Sequence, residues 1–376
     1  MNKKSISLLI TAFMIMTFLF SGCISKSSTD LDTASNSTSD SQGIIITDML
    51  DRKVTLDSTA KKAIAIGPGA LRLYCYLGNI DNLVGVEQIE NKYPIGRPYA
   101  IANPSLMDIE VIGPGGPKNS PDPEKIISVR PDVIFTTYSY EKTTADELQS
   151  KTGIPVIALS YGKVATFDPS VYKSIEIIGK AMGEEKRADE VIKFMEECKN
   201  DLNDRTKDIS DEERPSAYVG ALGYKGAHGI ESTRCNYALF NAVHAKNVVD
   251  EVGKAGHFMI DKEKLLEWDP NRIFIDYGGF DLVKEDYNKN PDYYNSLTAF
   301  KKGEVYSQLP YNFYSTNIGT SIADAYFIGK VLYPDRFEDI EPEKKADEIY
   351  KFLFGKEVYS QMANDFGGFS KVTMEE

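Results

Sequence analysis

Short apolar runs alternate with stretches of helical spacing along most of this chain. The runs have the length and composition of buried strands, and the amphipathic stretches between them predict helices that cover the sheets. This alternation predicts an α/β fold with central, mostly parallel sheets flanked by helices. The predicted strands are Ala63–Ile66, Val84–Val86, Val133–Phe135, Val156–Leu159, Ala217–Leu222, Arg272–Asp276 and Glu304–Ser307.

Further elements frame this pattern at both ends of the folded region. Ile44–Asp48 and Lys53–Leu56 flank a polar turn and predict a hairpin at the entry to the fold. Ile318–Leu332 and Pro342–Leu353 carry apolar residues at helical spacing and predict amphipathic helices.

One segment of fourteen residues occurs twice. DPEKIISVRPDVIF begins at Asp122 and DKEKLLEWDPNRIF begins at Asp261, so equivalent residues lie 139 positions apart (261 − 122). Each copy has an acidic residue, an apolar pair, a proline and an apolar run, which predicts a helix followed by a buried strand. Two such units predict two lobes of similar build with a site between them. Chance similarity in a common α/β connection is the alternative.

The middle of the chain predicts a connecting helix. From Pro169 to about Thr206, apolar residues keep a spacing near 3.6 residues. A helix of about 35 residues would span roughly 50 Å, which is enough to join two lobes. Gly179 and Gly183 weaken the pattern, so two ordinary helices broken at Gly183 remain the alternative.

The N-terminus has the form of a lipoprotein signal. Lys3 and Lys4 precede an apolar run, and the segment Leu19–Cys23 ends it with small residues before a cysteine. We expect cleavage after residue 22 and a lipid on Cys23. An uncleaved anchor is the alternative, but the run of about fifteen apolar residues is shorter than the roughly twenty that a membrane span needs. The protein is therefore expected outside the cytoplasm, lipid-anchored to the outer face of the cell membrane.

These patterns divide the chain into five predicted parts. A Ser/Thr-rich tether follows the signal, and its composition is that of a flexible, solvated linker. The parts are a signal peptide (1–22), the tether (23–43), an N-terminal α/β lobe (44–166), a connecting helix (167–206) and a C-terminal α/β lobe (207–376).

Charge and cysteine content narrow the function classes. The formal net charge of −13 argues against nucleic acid as a partner. Cys75, Cys198 and Cys235 have no metal-ligand spacing, and either one disulfide or three buried thiols remain open. All histidines lie in the second half, which argues against a free zinc or manganese site, because such sites draw several ligands from both lobes.

Tyrosine provides the candidate ligand contacts, with 22 residues in the chain. Several follow predicted strands or lie in loops, where ligands bind in open α/β sheets. A phenol ring offers flat apolar contact and a polar tip, which suits a large ligand such as a chelate or macrocycle. The candidates are Tyr138, Tyr140, Tyr224, Tyr237, Tyr277, Tyr311 and Tyr314.

A polar loop after Ala217–Leu222 adds charged candidates. It carries His228, Glu231 and Arg234, and Arg234 would bind a carboxylate or phosphonate of a chelator. His228 could also supply one ligand to a chelated metal, although no direct metal site is predicted. A surface loop with an internal Glu231–Arg234 ion pair is the alternative. Arg72 and Arg97 are further cleft candidates.

The order of these motifs resembles the class III substrate-binding proteins of ABC importers, which handle iron chelates, haem and cobalamin. The resemblance rests on the lipoprotein signal, IIITDMLDRKVTL, IAIGPGALRLYCYLG, the two repeated segments and the stretch from Phe167 to Thr206. It implies two lobes joined by one long helix, a ligand in the cleft, no cofactor and a monomer. It also implies a permease and its ATPase as partners, with Glu124 and Glu263 docking onto the permease.

The resemblance favours an iron complex, either a siderophore-type chelate or haem, as the ligand. A corrinoid, a nickel chelate or an oxyanion on the same fold is the alternative. A surface-anchored hydrolase or redox enzyme would need His228, Glu231 and Asp276 as acid/base groups, but no nucleophile motif accompanies them. The sequence therefore predicts a binding protein that is not an enzyme.

Overall fold

The computed structural model describes residues 43–78, 80–92, 95–116, 120–138 and 141–374. The predicted signal peptide, Cys23 and nearly all of the tether lie outside the described residues. Among the described residues, no helix is both long enough and apolar enough to cross a membrane.

The elements follow the predicted α/β alternation. The strands are β1 (Ile44–Thr47), β2 (Lys53–Leu56), β3 (Ala63–Ile66), β4 (Leu83–Gly85), β5 (Val133–Thr136), β6 (Val156–Ala158), β7 (Ser216–Gly220), β8 (Ser232–Cys235), β9 (Lys246–Asn247), β10 (Gly256–Met259), β11 (Arg272–Asp276), β12 (Val305–Gln308) and β13 (Ser370–Lys371). The helices are α1 (Ala70–Cys75), α2 (Gln88–Lys92), α3 (Pro98–Ala102), α4 (Pro123–Val129), α5 (Lys142–Thr152), α6 (Pro169–Met182), α7 (Glu185–Thr206), α8 (Ala238–Ala242), α9 (Lys262–Trp268), α10 (Phe280–Lys289), α11 (Pro291–Ser296), α12 (Thr298–Lys301), α13 (Ile318–Leu332), α14 (Pro342–Phe354) and α15 (Tyr359–Phe366).

Two main sheets define two lobes. The first lobe is built on a parallel sheet in the order β4-β3-β5-β6. The second lobe is built on the order β13-β12-β11-β7-β9, in which only β13 is antiparallel to its neighbour. Two antiparallel pairs, β1-β2 and β8-β10, complete the strands. The predicted fold class, with mostly parallel sheets in two lobes, is confirmed.

The β1-β2 hairpin is attached to the first sheet by two buried charged residues in its turn. The Asp48 carboxylate accepts hydrogen bonds from the backbone N–H groups of Arg52 and Ala158. The Arg52 guanidinium donates to Asp48 and to the Val156 carbonyl. Because Val156 and Ala158 belong to the edge strand β6, the hairpin turn covers the edge of the sheet.

The repeated segment forms the same structure in both lobes. The helices α4 and α9 lead into β5 and β11, and both strands lie in the interior of their sheets. Each helix ends at a residue with left-handed backbone conformation, Arg130 (φ 50°) and Asp269 (φ 38°). The chain thus turns in the same way at equivalent positions, just before the proline region that leads into the strand.

The prediction of one continuous connecting helix is wrong, and the alternative break at Gly183 is what the structure shows. Gly183 has φ 73°, and the N–H of Glu184 donates to the Gly179 carbonyl at 2.8 Å, which ends α6. The two helices then pack closely, because a Cβ at Gly179 would lie 2.6 Å from that of Ala188. At 22 residues, α7 alone spans roughly 33 Å toward the second lobe.

The lobes share an apolar core beside this connection. The ring of Tyr76 stacks on Phe354 at 5.3 Å, and Phe194 of α7 stacks on Phe352 at 4.0 Å. The Arg187 guanidinium donates to the carbonyls of Tyr76 and Phe352. The two lobes are therefore packed together along α1, α7 and α14.

The cysteines of the described region are separate buried thiols. Cys75, Cys198 and Cys235 are free and buried, and burial raises the pKa of each thiol. The alternative of a disulfide among them is not observed.

Candidate functional site: the cavity between the lobes

A cavity of about 490 Å³ lies between the two lobes. The first lobe contributes Pro68, Ile89 and Arg97 to its lining. The second lobe contributes three segments: 223–227, Asp276 with Gly278, and Pro310 with 312–315. A neighbouring cavity of about 320 Å³ shares Pro68 and Ser315 with it, and is otherwise lined by first-lobe residues. These two residues therefore separate two chambers of one cleft.

The glycine-rich turn after β3 forms the first-lobe wall between the chambers. Gly67 has φ 93°, and a Cβ there would lie 2.7 Å from the Thr137 hydroxyl. Gly69 has φ 84°, and a Cβ there would lie 2.5 Å from the Tyr161 hydroxyl. Only glycine fits these positions without displacing neighbours, so the sequence Gly-Pro-Gly fixes where Pro68 lies.

The segment 311–317 forms the opposite wall and is held in a strained turn. Tyr314 (φ 51°) and Ser315 (φ 74°) both have the left-handed backbone conformation, which is uncommon for residues other than glycine. Asn312 and Thr316 pair across the turn as an isolated β-bridge. Strain of this kind persists where surrounding contacts impose it, and such positions cluster at ligand sites.

Arg72 supplies those contacts and does not line either cavity. Its fully buried guanidinium donates to the Asn317 side-chain oxygen at 2.7 Å and to the backbone carbonyls of Phe313 (2.7 Å) and Thr316 (3.0 Å). The Asn317 amide in turn donates to the Gly96 carbonyl at 3.1 Å. The prediction of Arg72 as a ligand contact is corrected, because its donors hold the turn of the opposite lobe.

Two predicted tyrosines from opposite lobes meet at a buried carboxylate. The hydroxyls of Tyr138 and Tyr314 lie 2.8 Å apart, and they donate to Glu87 at 2.7 Å and 3.1 Å respectively. The N–H groups of Gly67 and Gly116 donate to the Glu87 carboxylate and the Tyr314 hydroxyl. Burial raises the pKa of Glu87, and burial next to Glu87 raises the pKa of both phenols. Both phenols therefore stay protonated at neutral pH.

Sequence reasoning missed Glu87, although a signal for it was present. Glu87 directly follows the predicted strand Val84–Val86, and parallel strands direct ligands to their carboxyl ends. Its partners could not be read from the sequence, because Tyr314 lies 227 positions away in the chain.

Two basic side chains lie at the main cavity. Arg97 is 3% exposed, and its Nη1 donates to Glu90 at 2.8 Å and to the Ile89 carbonyl at 2.7 Å. Its buried Nε has no hydrogen-bond partner among the described residues, and its guanidinium lies 5.6 Å from the Tyr314 ring centroid. Lys225 is exposed, and its Nζ lies 5.3 Å from the ring centroid of Tyr224. The cavity thus has a buried and an exposed cation on facing lobes.

The predicted polar loop lies beside the cavity with its side chains apart. His228 Nε2 lies 2.7 Å from the Tyr224 carbonyl oxygen, and His257 stacks on the Tyr224 ring at 4.3 Å. Arg234 donates to the Lys163 carbonyl at 3.1 Å and so bridges to the first lobe. Within the described residues, Glu231 and Arg234 form no ion pair, so the internal pair considered from the sequence is not observed. These contacts position Tyr224 at the cavity.

Three further predicted tyrosines lie in the described part of the chain and do not line the cavity. Tyr237 is 1% exposed, and its hydroxyl accepts from the Gln308 amide at 2.9 Å. Tyr311 is buried beside it, with ring centroids 6.3 Å apart, and Tyr277 stacks on the Phe280 ring at 4.6 Å. Tyr140 lies outside the described residues. The assignment of Tyr237, Tyr277 and Tyr311 as ligand contacts is therefore corrected to packing within the second lobe.

A buried acid lines the second-lobe side of the cavity. Asp276 is 2% exposed, and its Oδ1 accepts from the Gly278 N–H at 2.9 Å. Burial raises the pKa of Asp276 to about 8. Asp324 is fully buried, and burial together with the charge of Asp276 raises its pKa. At neutral pH, Asp276 therefore presents a neutral carboxylic acid that can donate a hydrogen bond.

The sequence of this chain is similar to those of known binding proteins. The sequence profile of the Periplasmic binding protein family matches residues 65–310. The chain belongs to this family. This binding protein is 27% identical over 332 residues to the molybdate-binding protein MolA of Haemophilus influenzae, covering 82% of this chain and 90% of that protein. It is 25% identical over 296 residues to an uncharacterized ABC transporter substrate-binding lipoprotein of Bacillus subtilis, covering 79% and 87%.

Solved structures show the same fold. Molybdate-bound MolA of Haemophilus influenzae superposes with a TM-score of 0.66 at 23% identity, covering 84% of this chain and 98% of that one. The CeuE protein of Helicobacter pylori with Ni(II) bound superposes with a TM-score of 0.60 at 18% identity, covering 83% and 96%.

These relatives confirm the predicted class. They are solute-binding proteins of ABC transporters and not enzymes. They act outside the cytoplasm, and their partners are the permease and ATPase components of the transporter. This binding protein is accordingly the substrate-binding component of an ABC importer. The relatives differ in what they bind, so their names do not choose a ligand for it.

Proposed function

We propose that this binding protein captures a ferric chelate between its lobes and delivers it to the permease. The observation that carries the proposal is the 490 Å³ cavity with walls from both lobes. Cavities that hold ligands of drug-like size have volumes of roughly 300–1,000 Å³. A bare tetrahedral oxyanion would fill on the order of 100 Å³, taking about 30 Å³ for each water-sized atom. The space therefore favours a ligand with an organic shell.

The lining favours an anionic chelate. Lys225 offers positive charge, and Arg97, which is paired with Glu90, adds a buried Nε donor without a partner among the described residues. Asp276 is neutral at neutral pH because burial raises its pKa to about 8. The rings of Tyr224, Phe313 and Tyr314 offer flat surfaces for the ligand's organic part. His228 contacts the Tyr224 carbonyl oxygen, and we propose Glu231 and Arg234 of the same loop as further ligand contacts.

Molybdate or another oxyanion is the second candidate. The similarity to a molybdate-binding protein over 82% of the chain favours it. The same two cations, Arg97 and Lys225, would bind the oxyanion, and further closure of the lobes would have to reduce the cavity.

A titration of the soluble region from Gly43 onward separates these candidates. Calorimetry would measure Kd for ferric hydroxamates, ferric citrate, haem, cobalamin, nickel-histidine and molybdate. We expect tight binding of one ferric chelate, weakened about tenfold in Lys225→Gln and unchanged in the exposed control Lys254→Gln. Binding of molybdate alone would replace the iron proposal by the oxyanion candidate. Binding of neither class would contradict both.

Two further features support delivery to a permease at the membrane. Glu124 and Glu263 are both exposed in the first turns of α4 and α9, and we propose that they dock onto the permease. In an α/β unit the helix runs antiparallel to the strands, so both first turns lie at the edge where ligands bind. A lipid on Cys23 would hold the protein near that permease, and mass spectrometry of the mature N-terminus tests the anchor.

A further inference from the structure

The repeated segment carries a second matched pair besides the glutamates. Ile127 is 44% exposed and Leu266 is 37% exposed, and they too lie 139 positions apart. Each follows its glutamate by three residues, which places the two side chains as neighbours on one helix surface. The preceding residues, Ile126 and Leu265, are buried in their lobes. Both helices therefore present the same pair, an acidic and an aliphatic side chain, to solvent.

The pairing is specific to these positions. Nine large apolar side chains of the described residues are more than a third exposed. Ile127 and Leu266 are the sole pair among them with the offset of the repeat. Single exposed apolar residues are ordinary. Exposure at equivalent positions of both lobes fits one partner that contacts both. The cores of the lobes do not supply it, because Ile126 and Leu265 already fill them.

The neighbouring charges leave the glutamates available. Lys262 pairs with Asp286, and Lys264 pairs with Glu251 and Glu267, so the basic residues nearest Glu263 are engaged elsewhere. Within the described part of the chain, neither Glu124 nor Glu263 forms an ion pair. A basic group on a partner would form an ion pair with each glutamate. An apolar pocket of the partner, next to that basic group, would cover each aliphatic side chain.

We propose that Ile127 and Leu266 are apolar contacts with the permease, each inserted beside its docking glutamate. This rests on the proposed docking of Glu124 and Glu263 and extends it. A partner with two equivalent halves makes the same contact on both lobes. Such a partner requires equivalent surfaces on the two lobes, and the repeated segment provides them. Because the first turns of α4 and α9 lie at the ligand edge of each lobe, such a partner covers the cleft opening.

The test measures docking without a ligand. The ligand-free protein would be titrated onto its own permease–ATPase complex in lipid nanodiscs, and Kd measured by biolayer interferometry. The double variant Ile127→Ser/Leu266→Ser should bind about tenfold more weakly or worse, with each single change contributing part of the loss. The shape-conserving exchange Ile127→Leu/Leu266→Ile should restore binding.

The control is Met107→Ser/Leu282→Ser, which removes exposed apolar side chains of similar exposure, one in each lobe, without the repeat offset. It should dock like the unaltered protein. If the Ile127/Leu266 variant docks normally while Glu124→Ala/Glu263→Ala is weakened, the apolar contact is overturned and glutamate docking stands. If all of these variants dock normally, both are overturned. Equal weakening by the control would also overturn the assignment, because it would show an unspecific effect.

Discussion

The hydroxyl of Tyr138 in the first lobe lies 2.8 Å from the hydroxyl of Tyr314 in the second, and both donate to Glu87. The Tyr138→Phe change removes one donor to a buried carboxylate and the polar contact of its hydroxyl with that of Tyr314 across the cleft. We expect the free energy of unfolding to fall by about 1–2 kcal/mol and the cleft to open more readily. Urea unfolding and hydrogen exchange of segment 311–317 measure these effects.

The matched control is Tyr306→Phe. Tyr306 also donates to a glutamate, Glu304, at 2.8 Å, but both residues belong to the second lobe. It should leave hydrogen exchange of segment 311–317 unchanged. Equal exchange in the two variants would show that the tyrosine pair does not hold the lobes together.

Arg72 should be among the most sensitive positions of the chain. The Arg72→Met change keeps the length of the side chain but leaves the Phe313 and Thr316 carbonyls and the Asn317 oxygen without their donor. We expect a loss of about 3 kcal/mol or more in the free energy of unfolding, because unsatisfied buried acceptors are costly. Denaturant unfolding measures it, with the partly exposed Arg336→Met as control. A loss below about 1 kcal/mol would contradict the role given to Arg72.

The buried acid Asp276 predicts a pH dependence of stability. Its pKa rises from 3.8 to about 8 on folding, so the folded state holds a proton that the unfolded chain releases. This stabilisation is complete below about pH 4 and is lost as the pH rises through 8. Between these limits, Asp276 lowers the free energy of unfolding by up to about 1.4 kcal/mol for each pH unit.

The Asp276→Asn variant removes that dependence while keeping the shape of the side chain. Unfolding curves from pH 5 to 9 should be less steep in pH for the variant, and the variant should be the more stable protein at pH 9. Because the charge of Asp276 also raises the pKa of Asp324, the same comparison in an Asp324→Asn background separates the two carboxyl groups. Parallel curves for the two proteins would rule out the buried acid as the source.

Gly67 tests how strictly the turn after β3 is shaped. Gly67→Ala places a Cβ 2.7 Å from the Thr137 hydroxyl at φ 93°, and we expect a loss of about 2 kcal/mol in stability together with weaker ligand binding. Gly153→Ala is the control, because Gly153 also has positive φ (70°) but has open space around it. It should lose stability from backbone strain alone and keep ligand affinity. Equal ligand affinity in the two variants would show that the turn that holds Pro68 does not contribute to ligand binding.

The sequence predicted those parts of the fold that depend on local pattern. β3, β11 and α13 have the predicted bounds, because apolar runs and helical spacing are local properties. The strands β8 and β10 were missed because Ser232–Cys235 and Gly256–Met259 have no apolar run. The connecting segment was placed correctly, but a continuous helix was preferred to the break at Gly183 that the structure shows, because glycine is tolerated in many helices.

The site was predictable only in part, for a different reason. Tyr138 and Tyr314 were chosen from a strand end and a loop, and the structure brings their hydroxyls together at Glu87, with Tyr314 in the lining of the cavity. Tyr237 and Tyr311 were chosen by the same rule but turn inward, because a position in the sequence does not say which way a side chain points. Glu87 gains its partners from distant segments, and such contacts leave no local signal.

Arg72 also makes the folding of each lobe depend on the other lobe. Although each half has its own sheet and its own copy of the repeated segment, the guanidinium of one half is buried against backbone carbonyls that belong to the other. In a polypeptide that ends before residue 207, the Arg72 guanidinium would lose its acceptors in segment 311–317. Neither half is therefore expected to be complete alone. A split version of the protein would recover binding only if its two pieces reassociated.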